Sequence, residues 1–210
     1  LAPERAGAAE FIKKASGVCR VAMGHTDADF DSATAAIAAG ATVLTHTFNA
    51  MRPLKHREPN AIGAALGGEV MCECIADGKH VAPTVVKILY NAVGADRLVL
   101  ISDSLRCAGL PDGNYTMADG REIVVKNSLA YLTDGTIAGS SAKLFDCVKN
   151  AVSFGIPLED AVKAASLNPA RAAGIDNVCG VIKEGRAADF LLVDENLKLK
   201  NVYIGGECFL

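Results

Sequence analysis

The sequence predicts an α/β fold, namely the carboxyl-terminal half of a (β/α)8 TIM barrel followed by a small antiparallel β appendage. Three observations support this prediction. Apolar strands begin near positions 18, 41, 69 and 97, and helical patterns fill most of the gaps between them. Each of these strands leads into a histidine or an aspartate. The carboxyl end of the chain alternates apolar and polar residues, which is typical of antiparallel strands.

The first part of the chain alternates strands with helices that end at glycines or begin near prolines. The strands are expected over residues 18–23, 41–45, 69–76 and 97–101. The helices are expected over residues 4–16, 33–39, 83–92, 142–153 and 158–166. Asp31 or Ser32 is the expected N-cap of the second helix, and Ser141 that of the fourth. Residues 63–66 are a short apolar stretch without an assigned element.

The character of the chain changes after Asp103. Residues 107–138 are rich in Gly and Asp and contain short β runs at 122–126 and 129–132, which predicts hairpins. A third short turn opens at 168–171. The last strands flank Gly205-Gly206, the expected hairpin turn. We therefore divide the chain into barrel elements that hold the chemistry (1–106), hairpins and helices completing the barrel (107–184), and small β-domain strands (185–210).

The strand count leaves two questions open at this point. A doubly wound sheet also has a βα repeat, but it usually binds ligands at one switch point and not after every strand. A closed barrel needs eight strands and roughly 250 residues. Because this chain offers four full strands and a stub at Leu1, we expect a portion of a longer protein whose amino-terminal half is missing.

Composition excludes several classes of function. The chain has 210 residues, is 50% hydrophobic and has a formal net charge of −3, which gives no reason to expect nucleic acid as a partner. No apolar run approaches the roughly 20 residues of a membrane span, and no signal peptide is visible. The 7 cysteines are an odd number, and we expect them to be reduced, buried thiols in a cytoplasmic protein.

The strand ends bring together residue types that suit metal-assisted hydrolysis. Neutral imidazoles from adjacent strands, His25 and His46, can bind one divalent cation such as Zn²⁺ or Fe²⁺. Such a cation lowers the pKa of a bound water toward neutrality. Asp103 follows the fourth strand, where it can accept the proton of that water and pass it to a leaving group. His80 lies in a flexible turn, ADGKH, which suits a substrate contact.

With these residues in place, the chain resembles the N-acetylglucosamine-6-phosphate deacetylases of the amidohydrolase superfamily. The matching segments, in order, are LAPE (1–4), GHTDA (24–28), THTFNAM (45–51), REP (57–59), IADGKH (75–80), ISDS (101–104), IAGSS (137–141), ASLNPAR (165–171) and GRAADFLLVD (185–194). The ASLNPAR and GRAADF segments are shared more broadly among amidohydrolases. THTFNAM and ADGKH indicate the deacetylase.

The resemblance implies a role for each site residue. His25 and His46 look like metal ligands, and Asp103 looks like the general base and acid. The residues that look like substrate contacts are Asn49, Ala50, Arg57, His80, Ile137, Ala138 and Gly139. Arg57 offers a planar fork for a phosphate, backbone N–H groups near Asn49 can add donors, and the small residues at 137–139 would allow close approach to an acetamido group.

The implied reaction is hydrolysis of the N-acetyl amide of N-acetylglucosamine 6-phosphate to glucosamine 6-phosphate and acetate, by an enzyme expected to be a homodimer. The family also has an acidic metal ligand in an upstream segment, which this sequence lacks. Two alternatives stay open: another amidohydrolase, such as a dihydroorotase-like or aminoacylase enzyme, and a non-catalytic barrel fragment. The choice between zinc and iron also stays open, since imidazoles with a carboxylate suit both.

Overall fold

A computed structural model describes residues 1–127 and 129–210 of the chain. The helices are α1 (Ala8–Ala15), α2 (Phe30–Ala39), α3 (Asn60–Gly67), α4 (Pro83–Val93), α5 (Leu144–Ser153), α6 (Leu158–Ala165) and α7 (Leu167–Ala173). The strands are β1 (Ala22–Met23), β2 (Val43–Leu44), β3 (Met71–Ile75), β4 (Leu98–Ile101), β5 (Gly113–Thr116), β6 (Glu122–Lys126), β7 (Leu129–Leu132), β8 (Ile137–Ser140), β9 (Phe190–Val193), β10 (Leu199–Ile204) and β11 (Glu207–Cys208).

The first four strands form one parallel sheet in the order β1-β2-β3-β4. Each neighbour in the sheet is also the next strand along the chain, with a helix between them. This sequential order is that of a barrel wall, since a doubly wound sheet reverses its strand order at a switch point. The prediction of a barrel portion with a small antiparallel appendage is confirmed.

Both edges of the parallel sheet have additional main-chain partners. At the β1 edge, the amino group of Leu1 donates to the Ala22 carbonyl (2.8 Å) and the Gly24 N–H donates to the Leu1 carbonyl (3.1 Å). This is the pattern of a parallel bridge, so Leu1 occupies a strand position beside β1. At the β4 edge, Ser104 forms a parallel bridge with Ser140.

The main core lies between the parallel sheet and its helices. Side chains alternate along β3, and Cys72 and Cys74 are fully buried on the helix-facing side together with Leu100 of β4. Val86 and Leu89 of α4 are buried against the same cluster. This apolar contact fixes the sheet in place and leaves its carboxyl edge to the loops.

Two antiparallel sheets follow the parallel one. Strands β5-β6-β7-β8 form a meander with its own small core, which includes Ile123, Val125 and Ala130. Strands β11-β10-β9 form the appendage, where the rings of Phe190 and Tyr203 stack with centroids 4.5 Å apart. Across the part of the chain that is described, no helix is long and apolar enough to cross a membrane.

The structure corrects several local expectations. Helix α2 begins at Phe30, so its N-cap is Asp29, which accepts from the Ser32 N–H at 2.8 Å, and not Asp31 or Ser32. Ser141 does not cap α5, since the N-cap position is Lys143 and it makes no side-chain cap bond. The apolar stretch 63–66 belongs to α3.

The seven cysteines are free thiols, but the expectation that all are buried is wrong. Cys19 and Cys208 are exposed, and Cys179 is partly exposed. Burial raises the pKa of the Cys72 thiol to about 11 and that of Cys74 to about 12. These two thiols therefore stay protonated and act as small apolar core residues.

Candidate active site

The predicted metal ligands and the predicted general base have strained backbone conformations at the ends of the parallel strands. His25, His46 and Asp103 have φ values of +46°, +31° and +48°, in the left-handed region that residues other than glycine rarely adopt. Phe48 and Ala50, in the loop after β2, are left-handed as well, at +78° and +50°. Strain of this kind persists only where the surrounding structure imposes it, and it clusters at functional sites.

The structure brings the two imidazoles together. The His25 and His46 rings lie edge to face, with centroids 4.6 Å apart and planes at 72°. His46 is only 5% exposed, and its buried Nδ1 has no hydrogen-bond partner in the described part of the chain. Burial and the neighbouring His25 lower the pKa of His46 against a smaller raising effect of Asp103, so this ring is neutral near pH 7. A neutral imidazole is the form that binds a metal ion.

Asp103 lies close enough to His46 for its charge to favour the protonated form of that imidazole. Its main chain is bound to the strand that contains the predicted acetamido wall. The Ser140 N–H donates to the Asp103 carbonyl at 3.1 Å, and the Ser140 hydroxyl donates to the Ser102 carbonyl. Residues 137–139 are therefore held beside Asp103, and Gly139 approaches so closely that an added Cβ would lie 3.2 Å from the Asp103 carbonyl oxygen.

In the loop after β2, the hydrogen-bond donors of Asn49 are directed to carbonyl groups of the same loop. Asn49 donates its main-chain N–H to the His46 carbonyl at 2.9 Å. Its side-chain NH₂ donates weakly to the carbonyls of His46 (3.3 Å) and Thr47 (3.4 Å). The Asn49 main-chain N–H is therefore already paired within the loop, and the substrate contacts expected of Asn49 and Ala50 stay predictions. The Ala50 carbonyl accepts from the Thr26 N–H at 3.1 Å, which places Ala50 next to the His25 loop.

The basic segment after this loop contains one cation without a carboxylate partner among the described residues. Arg52 forms a two-pronged ion pair with Asp27, at 2.5 and 2.6 Å. Lys55 pairs with Glu58 at 3.0 Å. Arg57 is exposed, and among the described residues its side chain has one hydrogen-bond partner, the His56 ring at 2.8 Å. Its guanidinium is thus free for an anion, as the sequence prediction for this residue requires.

His80 is not the flexible residue that its Gly-containing turn suggests. Its Nδ1 lies 2.6 Å from Oδ2 of Asp77, and the two side chains are only 5% and 4% exposed. Within the described residues, no hydrogen bond or ion pair joins His80 to His25, His46 or Asp103. Topology nevertheless places it at the same edge, since β3 lies between the strands that precede His46 and Asp103.

Sequence analysis missed three residues of this site. Glu73 is half-buried on β3, and burial and the Asp103 charge raise its pKa against a hydrogen bond from the His46 main chain. Asp77 fixes His80, and Glu4 accepts hydrogen bonds from the Thr26 hydroxyl (2.5 Å) and the Asp27 N–H (2.9 Å) beside His25. Of these three, Glu73 could have been found from the sequence, because it is a charged residue in the otherwise apolar strand MCECI.

The donor set fits a divalent cation in part. The two imidazole rings, with centroids 4.6 Å apart, are suitable first ligands, and the buried Nδ1 of His46 has no hydrogen-bond partner among the described residues, as a nitrogen that binds a metal ion requires. No group of three or more His, Cys, Asp or Glu side chains that could hold a metal ion occurs in residues 1–127 and 129–210. The described residues therefore bring two imidazoles together without a third candidate ligand beside them.

Comparison with known proteins agrees with this fold. The model of the amidohydrolase family matches residues 7–208. The chain therefore belongs to the amidohydrolase family, whose members are generally metal-dependent.

The similar proteins are more specific. An N-acetylgalactosamine-6-phosphate deacetylase of Escherichia coli O157:H7 is 38% identical over 99% of this chain and 55% of its own. An N-acetylglucosamine-6-phosphate deacetylase of Vibrio furnissii is 36% identical over 98% and 52%. The solved Mycobacterium smegmatis N-acetyl-D-glucosamine-6-phosphate deacetylase with N-acetyl-D-glucosamine-6-phosphate is 39% identical, with a TM-score of 0.93 over 99% of this chain and 56% of that one. The chain spans about half the length of these relatives.

Proposed function

We propose that this chain forms the carboxyl-terminal half of a hydrolase that removes the N-acetyl group of N-acetylglucosamine 6-phosphate, giving glucosamine 6-phosphate and acetate. The observation on which this rests is the meeting of His25 and His46 at 4.6 Å, with Asp103 near enough to influence the His46 pKa. The similarity to deacetylases over nearly the whole chain supports the substrate class.

Each residue has a defined role in this proposal. His25 and His46 hold a divalent cation, Zn²⁺ or Fe²⁺, which when bound supplies Lewis-acid chemistry for water activation and for polarising the amide carbonyl. Asp103 accepts the proton of the attacking water and returns it to the departing amine nitrogen. Gly139 keeps the wall beside Asp103 low enough for an acetamido group, since no Cβ projects there.

Arg57 binds the phosphate in this proposal, because its guanidinium has no carboxylate partner among the described residues while Arg52 and Lys55 do. Arg57→Ala should raise KM for the phosphorylated sugar at least about tenfold and leave the unphosphorylated sugar nearly unchanged. Arg121→Ala is the matched control, since Arg121 is an exposed arginine on the β5–β6 hairpin that pairs with Asp119. Equal effects of the two substitutions on KM would contradict the phosphate role.

An amino-terminal half like that of the relatives completes the site in this proposal. The described residues supply two metal ligands, and a third is needed. Strand β9 supports the same proposal, since Leu191, Leu192 and Val193 are 45%, 45% and 39% exposed although both faces of the strand are apolar. A strand with two apolar faces is typical of one that is covered on both sides. We further propose a cytoplasmic homodimer, which light scattering of the purified protein tests.

Acetate release tests the function. The protein translated from the complete reading frame, with Zn²⁺ or Fe²⁺ added, should deacetylate N-acetylglucosamine 6-phosphate, and the 210-residue chain alone should not. Asp103→Asn should abolish turnover in the longer protein. Absence of acetate from the longer protein with either metal would contradict the proposal and favour the non-catalytic alternative.

N-acetylgalactosamine 6-phosphate is the second candidate substrate. A relative with 38% identity bears that name, and the two sugars differ only in the configuration at one carbon. The same assay with both sugar phosphates ranks them by kcat/KM. A release of ammonia or a carboxylic acid other than acetate from other amides would instead indicate a different amidohydrolase reaction.

A further inference from the structure

Asp77 and His80 form a buried pair. The Asp77 carboxylate has no role in the proposed reaction as described so far. Asp77 follows β3 by two residues, and His80 lies three residues further on. His80 Nδ1 is 2.6 Å from Asp77 Oδ2, and the two side chains are 5% and 4% exposed. This short contact, which is almost inaccessible to solvent, fixes the His80 ring against one oxygen of the Asp77 carboxylate.

The second oxygen of Asp77 is also occupied. Oδ1 accepts the main-chain N–H groups of Lys79 and His80, both at 2.8 Å. Burial alone would raise the pKa of Asp77, but the hydrogen bonds from the His80 ring and from these N–H groups outweigh it and lower the pKa below 3.8. Asp77 is therefore ionised near pH 7 and can only accept, so the His80 nitrogen that faces it, Nδ1, bears a proton.

The other ring nitrogen is left without a partner. His80 Nε2 is buried and forms no hydrogen bond with any described residue. A buried polar atom without a partner is costly, and its persistence points to a bound molecule that completes it. His80 follows β3, whose neighbours β2 and β4 lead to His46 and Asp103, so the unpartnered nitrogen belongs to the edge that carries the site.

We propose that Asp77 is a positioning residue that holds His80 as the Nδ1–H tautomer, so that Nε2 accepts a hydrogen bond from a hydroxyl or amide N–H group of the ligand. A phosphate oxygen cannot occupy this position, because it has no proton to donate to a lone pair. The identity of the ligand rests on the proposed function, but the tautomer does not. His80 and Arg57 thus recognise opposite kinds of group on one molecule.

Nitrogen-15 NMR of histidine-labelled protein tests the tautomer without any assay of activity. The protein is the product of the complete reading frame, and the His80 signals are assigned by their absence from His80→Gln. At pH 7.5 the long-range ¹H–¹⁵N pattern should show a protonated Nδ1 and an unprotonated Nε2. A proton on Nε2 alone, or on both nitrogens, would overturn the proposal.

Asp77→Asn changes the tautomer while keeping the turn. Asn retains Oδ1 for the N–H groups of Lys79 and His80, but an NH₂ group replaces the acceptor at Oδ2 and forces Nδ1 to give up its proton. The His80 proton should therefore move to Nε2. Asp134→Asn is the matched control, since Asp134 Oδ1 accepts the Thr136 N–H (2.9 Å) in an exposed turn. It should leave the His80 pattern unchanged, and an unchanged pattern in Asp77→Asn would count against the proposal.

Kinetics of the same variants add a readout on the ligand. For N-acetylglucosamine 6-phosphate, Asp77→Asn should lower kcat/KM about tenfold to a hundredfold, as loss of an orienting partner does, while Asp134→Asn leaves it unchanged. Equal kcat/KM in the two variants would overturn the positioning role. An inactive unaltered protein that still shows the Nδ1–H tautomer would refute the proposed function alone and leave the Asp77 assignment intact.

Discussion

Gly139→Ala tests whether the wall beside Asp103 depends on the absence of a side chain. Gly139 has φ +144°, a region that costs a non-glycine residue about 1–3 kcal/mol. The new Cβ would also lie 3.2 Å from the Asp103 carbonyl oxygen and 3.0 Å from Cγ of Leu105. Contacts this tight require the neighbours to shift by a few tenths of an ångström.

The matched control is Gly135→Ala in the turn that precedes β8. Gly135 has φ +84°, and nothing lies within 4 Å of an added Cβ. It should cost only the strain of a left-handed residue, about 1–2 kcal/mol. Gly139→Ala should cost roughly 1–2 kcal/mol more, because overpacking adds to the strain. The difference is measured as the free energy of unfolding from urea titrations of the two variants.

Turnover separates the two variants further. A displacement of 1 Å at a reacting group can cost about a hundredfold in rate, so a shift of a few tenths at Asp103 should cost several-fold to about tenfold. Gly135→Ala should keep full turnover for acetate release by the longer protein. Equal losses of stability with equal turnover in the two variants would contradict this expectation, since the close approach to Asp103 would then have no consequence.

Three further predictions concern metal binding, the hydrogen bonds of a buried asparagine, and the stability of the protein at low pH. His46→Ala should abolish tight Zn²⁺ binding measured by calorimetry, while His56→Ala, at an exposed loop position, should not; equal binding by both would exclude His46 as a ligand. Asn168→Ala should cost about 2–4 kcal/mol in urea unfolding, because the fully buried Asn168 NH₂ donates to the carbonyls of Ala95 (2.8 Å) and Leu98 (2.7 Å), and a cost below 1 kcal/mol would contradict this. Since the pKa of Asp77 is lowered on folding, its carboxylate stabilises the protein above pH 3.8, and this stability is lost as the pH falls through the lower folded value. Asp77→Asn should therefore flatten the stability curve below about pH 4, and curves that stay parallel to the unaltered protein would contradict the linkage.

The sequence was sufficient where local pattern and topology agree. Apolar runs ended by polar residues define the parallel strands, and the alternation with helices fixes their direction. Parallel strands bring their carboxyl ends to one edge, so residues as distant in sequence as His25 and Asp103 were expected to converge. The His25–His46 contact at 4.6 Å follows from that rule together with the pairing of β1 and β2.

The sequence was insufficient where burial decides the structure. Helix α3 includes glycines that disfavour helix, yet Ala61, Ile62 and Ala65 are buried, so tertiary packing overrides local propensity. Likewise ADGKH contains a turn glycine and two charges, which suggests a mobile loop. The ion pair of Asp77 with His80 needs a three-dimensional account of which oxygen faces which nitrogen, and no spacing rule supplies that.

The backbone conformation at His25, His46 and Asp103 would favour glycine if folding stability alone selected the residues there. His25, His46 and Asp103 each occupy a left-handed conformation that glycine adopts without strain. A side chain at these positions destabilises the chain by about 1–3 kcal/mol each, and the structure accepts this at three strand ends of one sheet. Cys72, Cys74 and their neighbours are packed in the main core beneath the same sheet. Eight residues other than glycine have positive φ in the described part of the chain, and five of them lie at these three strand ends or in the loop after β2, which supports a shared chemical role.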